Sequence, residues 1–337
     1  MGIRAWAAPR AAASMEAFDY DPGTLGDEEV EVAVEHCGLC HSDLSMIDDE
    51  WRRSRYPLVP GHEAVGRVVA AGPQVRRVAV GDRVGVGWYA SSCMACAECL
   101  GGDAHLCARA TETIVGRHGG FAERVRLHWL WATPLPPGLD AASAGPLFCG
   151  GITVFAPILD GGVRPTDRVA VLGIGGLGHL AVRFLRAWGC EVTAITSSGS
   201  KAAAVRELGA HEVVALDDPS GLKRCARRFD LLLVTANANL PWNALLATLA
   251  PRGRMHLVGA IPDPVPVPAF VLIGGQKSLG GSPLGRPATV ARMLEFCARH
   301  DIRPIVERFP LSRVNAALAH LKAGKARWRI VLDNDYA

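Results

Sequence analysis

The pattern Cys93-x2-Cys96-x2-Cys99-x7-Cys107 restricts this chain more than any other feature. Four thiols within fifteen residues, set in turn-forming sequence between Gly87 and Gly119, can close around one tetrahedral zinc ion without help from elsewhere. The segment is expected to be a structural zinc lobe. Chance clustering explains it poorly, because all 337 residues hold only 10 cysteines. Disulfides are disfavoured too. The start, Met1-Gly-Ile-Arg-Ala-Trp-Ala-Ala, lacks the long apolar core of a secretory signal, so a cytoplasmic protein is expected. The first acidic residue is Glu16, as in a transit peptide, but residues 3–7 read better as a first strand.

A chain of this length exceeds the ~250 residues at which single cores stop growing, so two domains are expected. Lys and Arg total 36 against 33 acidic residues, a net charge of +3 without long runs of one sign. Electrostatics therefore implies neither nucleic acid nor a membrane surface, and a diffusible small substrate fits better. No apolar run approaches the ~20 residues that span a bilayer.

Three regions follow one another. From Glu28 to Leu147, short apolar runs at 30–34, 66–70 and 81–86 are separated by Gly and Pro, which predicts an irregular β domain. From Arg168 the rhythm becomes strand, glycine turn, helix and strand. Strands are predicted at 168–172, 191–196, 212–215, 230–234 and 254–258, with helices through Trp188 (stopped by Gly189) and at 201–208 and 242–249. Such alternation specifies an α/β fold with a doubly wound parallel sheet. Beyond Pro283, helices at 288–300 and 312–323 and a last strand at 327–332 complete the chain.

The turn Gly173-Ile-Gly175-Gly176-Leu177-Gly178 lies between a predicted strand and helix, the context a dinucleotide-binding turn requires. Gly173 permits the tight turn, Gly175 lets backbone approach a pyrophosphate, and Gly178 lets helix and strand pack closely, while the helix N-terminus offers N–H donors. The alternative is a turn used only for packing. NAD binders place an acid at the end of the second strand to hold the ribose 2′-hydroxyl. This chain has Thr196, Ser197, Ser198, Ser200 and Lys201 there and no carboxylate. Hydroxyls and an ammonium suit a 2′-phosphate, so NADP(H) is the expected cofactor; Ser198 or Ser200 can also cap the next helix.

A second set of candidate ligands is dispersed: Cys40 in Cys37-Gly-Leu-Cys40-His41-Ser42-Asp43, His62 in Pro60-Gly-His62-Glu63, and Cys149 in Pro146-Leu-Phe-Cys149-Gly-Gly-Ile-Thr153. Two thiolates and an imidazole with an open fourth position make a catalytic zinc arrangement, yet spacing alone would not assemble it. Each residue alone reads as an ordinary core side chain.

These segments, with the cysteine lobe, the glycine turn and Gly281-Ser282-Pro283-Leu284-Gly285, occur in an order that resembles the zinc-dependent medium-chain alcohol dehydrogenases, specifically the cinnamyl alcohol dehydrogenase-like, NADPH-preferring aldehyde reductases. The resemblance runs nearly end to end. It implies a GroES-like catalytic domain at 1–148 with the zinc lobe at 88–110, an inserted Rossmann NADP-binding domain at 149–285, a return to the catalytic domain at 286–337, and usually a homodimer. It further implies two zinc ions per chain, one on Cys40, His62 and Cys149 and one on Cys93, Cys96, Cys99 and Cys107. Ser42 matches the hydroxyl that bonds the substrate oxygen, Asp43 the carboxylate orienting an imidazole ligand, and Glu63 a carboxylate near enough to enter the ligand set. His41 resembles a residue that approaches the cofactor pyrophosphate, and Thr153 falls among the cofactor-binding positions.

Two departures stand out. Ser45 occupies the position of a frequent relay histidine, so a histidine relay does not carry over and protons must pass through the ribose, water or Ser45. Pro283 stands where plant relatives place a Phe, so preference for cinnamyl substrates does not carry over either. Trp51, Trp88 and Leu284 are candidates for pocket walls or for core. The expected activity is hydride transfer between NADP(H) and an aldehyde/primary alcohol pair, in the direction of aldehyde reduction, with zinc as a Lewis acid polarising the carbonyl oxygen. Alternatives are reduction of an enone or iminium carbon, or a non-catalytic zinc and dinucleotide sensor.

Overall fold

A computed structural model describes residues 2–218 and 220–336. The chain divides into two compact units, Met1–Ile152 with Gly285–Ala337, and Thr153–Leu284. The division falls inside the Gly150–Leu159 helix, a little later than the 148/149 boundary expected.

The first unit is built on a seven-stranded sheet in the spatial order Val306–Pro310, Arg329–Asp333, Glu29–Leu39, Ala64–Ala71, Arg83–Val86, Thr133–Pro134, with Arg124–His128 also paired to Glu29–Leu39. The central Glu29–Leu39 strand is longer than the expected 30–34 run. Its far end pairs antiparallel with the last strand, Leu39 opposite Ile330 and His36 opposite Asp333, so the two chain ends share one sheet. Its apolar face, including Val30, Val32, Leu39, Val68, Val84 and Val125, is almost wholly buried.

The second unit holds six parallel strands in the order Glu212–Ala215, Glu191–Thr196, Arg168–Leu172, Phe229–Val234, Leu249–Leu257, Ser278–Gly281. Numbered along the chain this is 3-2-1-4-5-6, the doubly wound dinucleotide-binding order. Its two central strands, Arg168–Leu172 and Phe229–Val234, are nearly continuous buried apolar runs because both faces of a parallel sheet are covered. The strand predicted at 254–258 begins earlier, at Leu249. Pro251-Arg-Gly253 has the composition of a turn, but Leu249 already pairs with Phe229 and a register shift absorbs the intervening residues. No single helix among the described residues is long and apolar enough to cross a membrane.

Candidate active site

Asp43 organises the first site. It lies in the short His41–Ile47 helix, which Cys40 caps, and it is fully buried. One carboxylate oxygen accepts the Cys40 N–H at 2.9 Å; the other accepts the Gly61 N–H at 2.9 Å and faces His62 Nδ1 at 2.9 Å. A single side chain therefore ties the Cys40 segment to the His62 segment and turns Nε2 of the imidazole away from itself. That Nε2 is buried and has no hydrogen-bond partner.

Around it, one donor atom each from Cys40, His62, Glu63 and Cys149 lies within 4.8 Å of all the others. Cys149 arrives from the bend between the Gly145–Phe148 turn and the Gly150–Leu159 helix, and its Sγ lies 3.9 Å from Cys40 Sγ. Gly38 makes room for Glu63, since a Cβ there would lie 2.0 Å from Glu63 Oε2. That oxygen is also buried and unpartnered, while Oε1 bonds the Arg329 guanidinium. Arg329 is buried, and its other end reaches Cys40 Sγ at 3.8 Å.

The protonation of the cluster follows from this crowding. The hydrogen bond from Cys149, with Arg329 and His62 adding to it, drives the Cys40 thiol well below its usual range; the same bond and burial drive Cys149 well above it. Burial pushes the Glu63 carboxyl up to about 7 against the pull of Arg329. Burial opposes charge on His62, but Asp43 outweighs it and raises the imidazole well above its ordinary value. Two sulfurs, one orphaned imidazole nitrogen and one orphaned carboxylate oxygen converging in a buried pocket fit a zinc ion. Trp88 stands edge-on to the His62 ring at 5.0 Å and to Trp51 at 5.8 Å, both indoles half-buried beside the cluster. Ser42 Oγ is 3.8 Å from Cys40 Sγ, and His41 is exposed at the helix start.

The four lobe cysteines come together likewise, with sulfurs within 4.8 Å of one another. Backbone amides point at sulfur, Cys96 N–H at Cys93 Sγ (3.3 Å) and Arg109 N–H at Cys107 Sγ (3.4 Å). The Ala95 amide, first among several such donors, holds the Cys93 thiol down at about 6. Donor set and geometry fit a closed four-thiolate zinc site.

In the second unit the glycine turn sits at the end of the Arg168–Leu172 strand. Gly173 has φ 91°, and a Cβ on Gly178 would lie 2.1 Å from the Gly173 carbonyl oxygen. Space over Gly175 is open, with nothing within 4 Å of where a Cβ would be. Gly176 and Leu177 complete the turn ahead of the Gly178–Trp188 helix, and these residues fit a pyrophosphate cradle. At the end of the next strand, the buried Thr196 hydroxyl bonds the Ser198 carbonyl at 2.8 Å, and Ser198 Oγ meets Ser200 Oγ at 2.9 Å. Thr196 thus shapes the loop, while Ser197 and Lys201 are exposed. Thr153 is buried in the Gly150–Leu159 helix.

Sequence reasoning missed Arg329. Its one signal was a cation directly ahead of the apolar run Ile330-Val-Leu332, at the head of a strand where a buried charge needs a partner.

A glycine-turn parallel sheet in one unit and a cysteine–histidine–carboxylate cluster in the other define a zinc-binding, dinucleotide-dependent oxidoreductase. Residues 26–137 match the alcohol dehydrogenase GroES-like domain family and residues 176–299 the zinc-binding dehydrogenase family. The chain is 53% identical to the aldehyde reductase AdhA of Synechocystis sp., over 98% of this chain and 99% of that protein. It superposes on a cinnamyl alcohol dehydrogenase of Sorghum bicolor with a TM-score of 0.94 at 34% identity, covering 99% and 98% of the two chains. A cinnamyl alcohol dehydrogenase of Helicobacter pylori, solved in complex with NADP(H), superposes with a TM-score of 0.90 at 26% identity, covering 99% and 98%. The chain belongs to the zinc-dependent medium-chain alcohol dehydrogenases, in the cinnamyl alcohol dehydrogenase-like branch. It is accordingly a zinc oxidoreductase of aldehydes and alcohols.

Proposed function

We propose that this enzyme works mainly as a cytoplasmic, NADPH-dependent aldehyde reductase. The observation that carries the reading is the buried convergence of Cys40, His62, Glu63 and Cys149 with His62 Nε2 left without a partner. Cys40, His62 and Cys149 would hold the catalytic zinc, and Cys93, Cys96, Cys99 and Cys107 a second, structural one. Bound there, the catalytic zinc supplies Lewis acidity to a carbonyl oxygen. Ser42 hydrogen-bonds that oxygen and hands it a proton. Asp43 fixes the His62 tautomer and ring direction. Glu63, held half by Arg329, keeps one oxygen available to the ligand set. Trp51 and Trp88 form an apolar wall beside the cluster.

Ser197, Ser198 and Lys201 support a preference for NADPH, because charge-assisted hydrogen bonds to a 2′-phosphate contribute about 1.5–3 kcal/mol each. One such bond corresponds to roughly tenfold or greater discrimination. Rates of NADPH and NADH oxidation across aliphatic and aromatic aldehydes test the whole reading. NADPH is expected to be preferred, and Ser197→Asp to reduce or reverse that preference by repelling the phosphate and accepting from the ribose hydroxyl. Equal use of both cofactors by the unaltered enzyme would overturn the cofactor assignment; inactivity toward every aldehyde would overturn the reductase.

A further inference from the structure

The parallel register of the second unit aligns the carboxyl ends of four strands. Leu172 lies opposite Val234, Val234 opposite Leu257, and Leu257 opposite Gly281. Gly173, Thr235, Val258 and Ser282 are therefore the first residues past the sheet, in one row. Backbone bonds carry the ladder a step beyond the first three strands: the Thr235 N–H reaches the Leu172 carbonyl at 2.9 Å and the Val258 N–H the Val234 carbonyl at 3.0 Å. Ser282 is held by a side chain, with His256 Nε2 at 2.9 Å from its Oγ. His256 is 9% exposed and pairs across the strands with Gly280. Residues 280 and 282 share one face of their strand. The imidazole thus reaches Ser282 by passing over Gly280, where even a Cβ would stand 3.8 Å from Nδ1. Burial, with Arg254 adding to it, pushes the ring down to about 4, so it is neutral at physiological pH. A neutral imidazole and a hydroxyl can each donate or accept, and the bond forms in either sense.

A doubly wound sheet takes a dinucleotide outside this carboxyl edge, with one half on each side of the point where the strand order reverses. The reversal here lies between Arg168–Leu172 and Phe229–Val234. The Thr196–Lys201 loop, whose hydroxyls suit an adenosine 2′-phosphate, closes a strand on one side of it. The side left for the nicotinamide half is that of the Phe229–Val234, Leu249–Leu257 and Ser278–Gly281 strands, where Ser282 begins the outermost rim. Pro283 follows it, exposed, with a fixed φ that also confines Ser282 to extended backbone. A hold on the Ser282 hydroxyl is therefore a hold on a stiff segment. We propose that His256 is a positioning residue for hydride transfer: through Ser282 it fixes the rim against which the nicotinamide half of the cofactor is set. The imidazole exchanges no proton with the substrate. Its effect is on geometry, to which such a step is sensitive, since a misplacement of about 1 Å can cost roughly 10²-fold in rate.

The inference rests on the dinucleotide reading of the glycine turn, and the test separates the two. NADPH binding to the zinc-loaded enzyme is followed by its fluorescence, and 2′,5′-ADP, which carries the adenosine half alone, by displacing it. In His256→Ala the Kd for NADPH should rise about 5- to 10-fold, the worth of one neutral hydrogen bond, while that for 2′,5′-ADP stays unchanged. A general loosening of the sheet would weaken both. Turnover should fall about 10-fold, and the isotope effect from NADPH deuterated at the transferred hydrogen should rise as hydride transfer becomes the slower step. His256→Gln, whose amide can reach the Ser282 hydroxyl, should restore affinity and isotope effect. Ser282→Ala should act like His256→Ala, and the double variant no worse than either alone, because both remove the same bond. Unaltered NADPH affinity and isotope effect in folded His256→Ala, or in Ser282→Ala should His256→Ala not fold, would overturn the positioning role, as would equal weakening of NADPH and 2′,5′-ADP. If the unaltered enzyme binds neither ligand, the cofactor reading fails and the role of His256 with it; if it binds both and the variants match it, only His256 fails.

Discussion

At the scale of single residues, Asp43 does what spacing in the sequence could not. Cys40, His62 and Cys149 are far apart in the chain, and no periodicity brings them together. Their assembly was legible only through resemblance, and its physical cause is one buried carboxylate holding the Cys40 amide, the Gly61 amide and the His62 ring. Asp43→Asn keeps the shape but replaces one acceptor with an N–H2 group that faces donors. The imidazole loses its fixed direction, so zinc affinity at this site should fall about 10–100-fold, as for other outer-sphere partners of ligating histidines. Competition with a chromogenic chelator measures this without any turnover, with the four-cysteine lobe as the internal reference. Arg329 illustrates the opposite case. A single cation in an apolar strand announces a buried partner, but only the fold names it as Glu63.

At the scale of elements, regular rhythm was readable and local closure was not. The Arg168–Leu172 and Glu191–Thr196 strands appear where alternation with helices placed them, because buried parallel strands are uninterrupted apolar runs. The His41–Ile47 helix escaped notice: it is under two turns long, and its residues read as a ligand motif. The Glu29–Leu39 strand ran past its apolar pattern because the polar residues beyond Val34 are paired across the sheet, Glu35 with Arg67 and Arg83 and His36 with Asp333. A charge inside the expected run is paired in the same way. Glu31, 5% exposed, bonds Arg124 at 2.6 Å and its direct cross-strand neighbour Arg126 at 2.7 Å. Burial favours the neutral acid, but the two guanidiniums outweigh it and hold the carboxyl below its ordinary value. A lowered folded-state value means that the stabilisation is complete above the unfolded carboxylate's pKa and is lost as pH falls through the folded one. Glu31→Gln should therefore destabilise the protein by about 1–3 kcal/mol at neutral pH. In urea titrations the gap from the unaltered protein should narrow below about pH 4. A gap independent of pH would show that packing, not charge, is what Glu31 contributes.

At the scale of the whole molecule, the sharing of one sheet by both chain ends follows from no local pattern. The antiparallel register of Arg329–Asp333 on Glu29–Leu39 joins residues about three hundred positions apart, and only resemblance anticipated it. Association between copies is likewise a property of the folded surface. The Ser278–Gly281 strand ends its sheet with one edge unpaired among the described strands, and the Ala269–Ile273 helix just before it exposes Phe270 by 86% and Ile273 by 67%. An open edge beside apolar side chains is a surface that pairing with a second copy would cover. We propose that the homodimer forms there. Light scattering should give about twice the chain mass of 35.8 kDa for the unaltered protein. Phe270→Asp with Ile273→Asp would bury two unpaired like charges per copy, a cost of several kcal/mol that should leave a folded monomer at micromolar concentration. The zinc content should not change, because both ligand clusters lie in the first unit and neither includes these residues. A dimer that survives both substitutions would place the interface elsewhere.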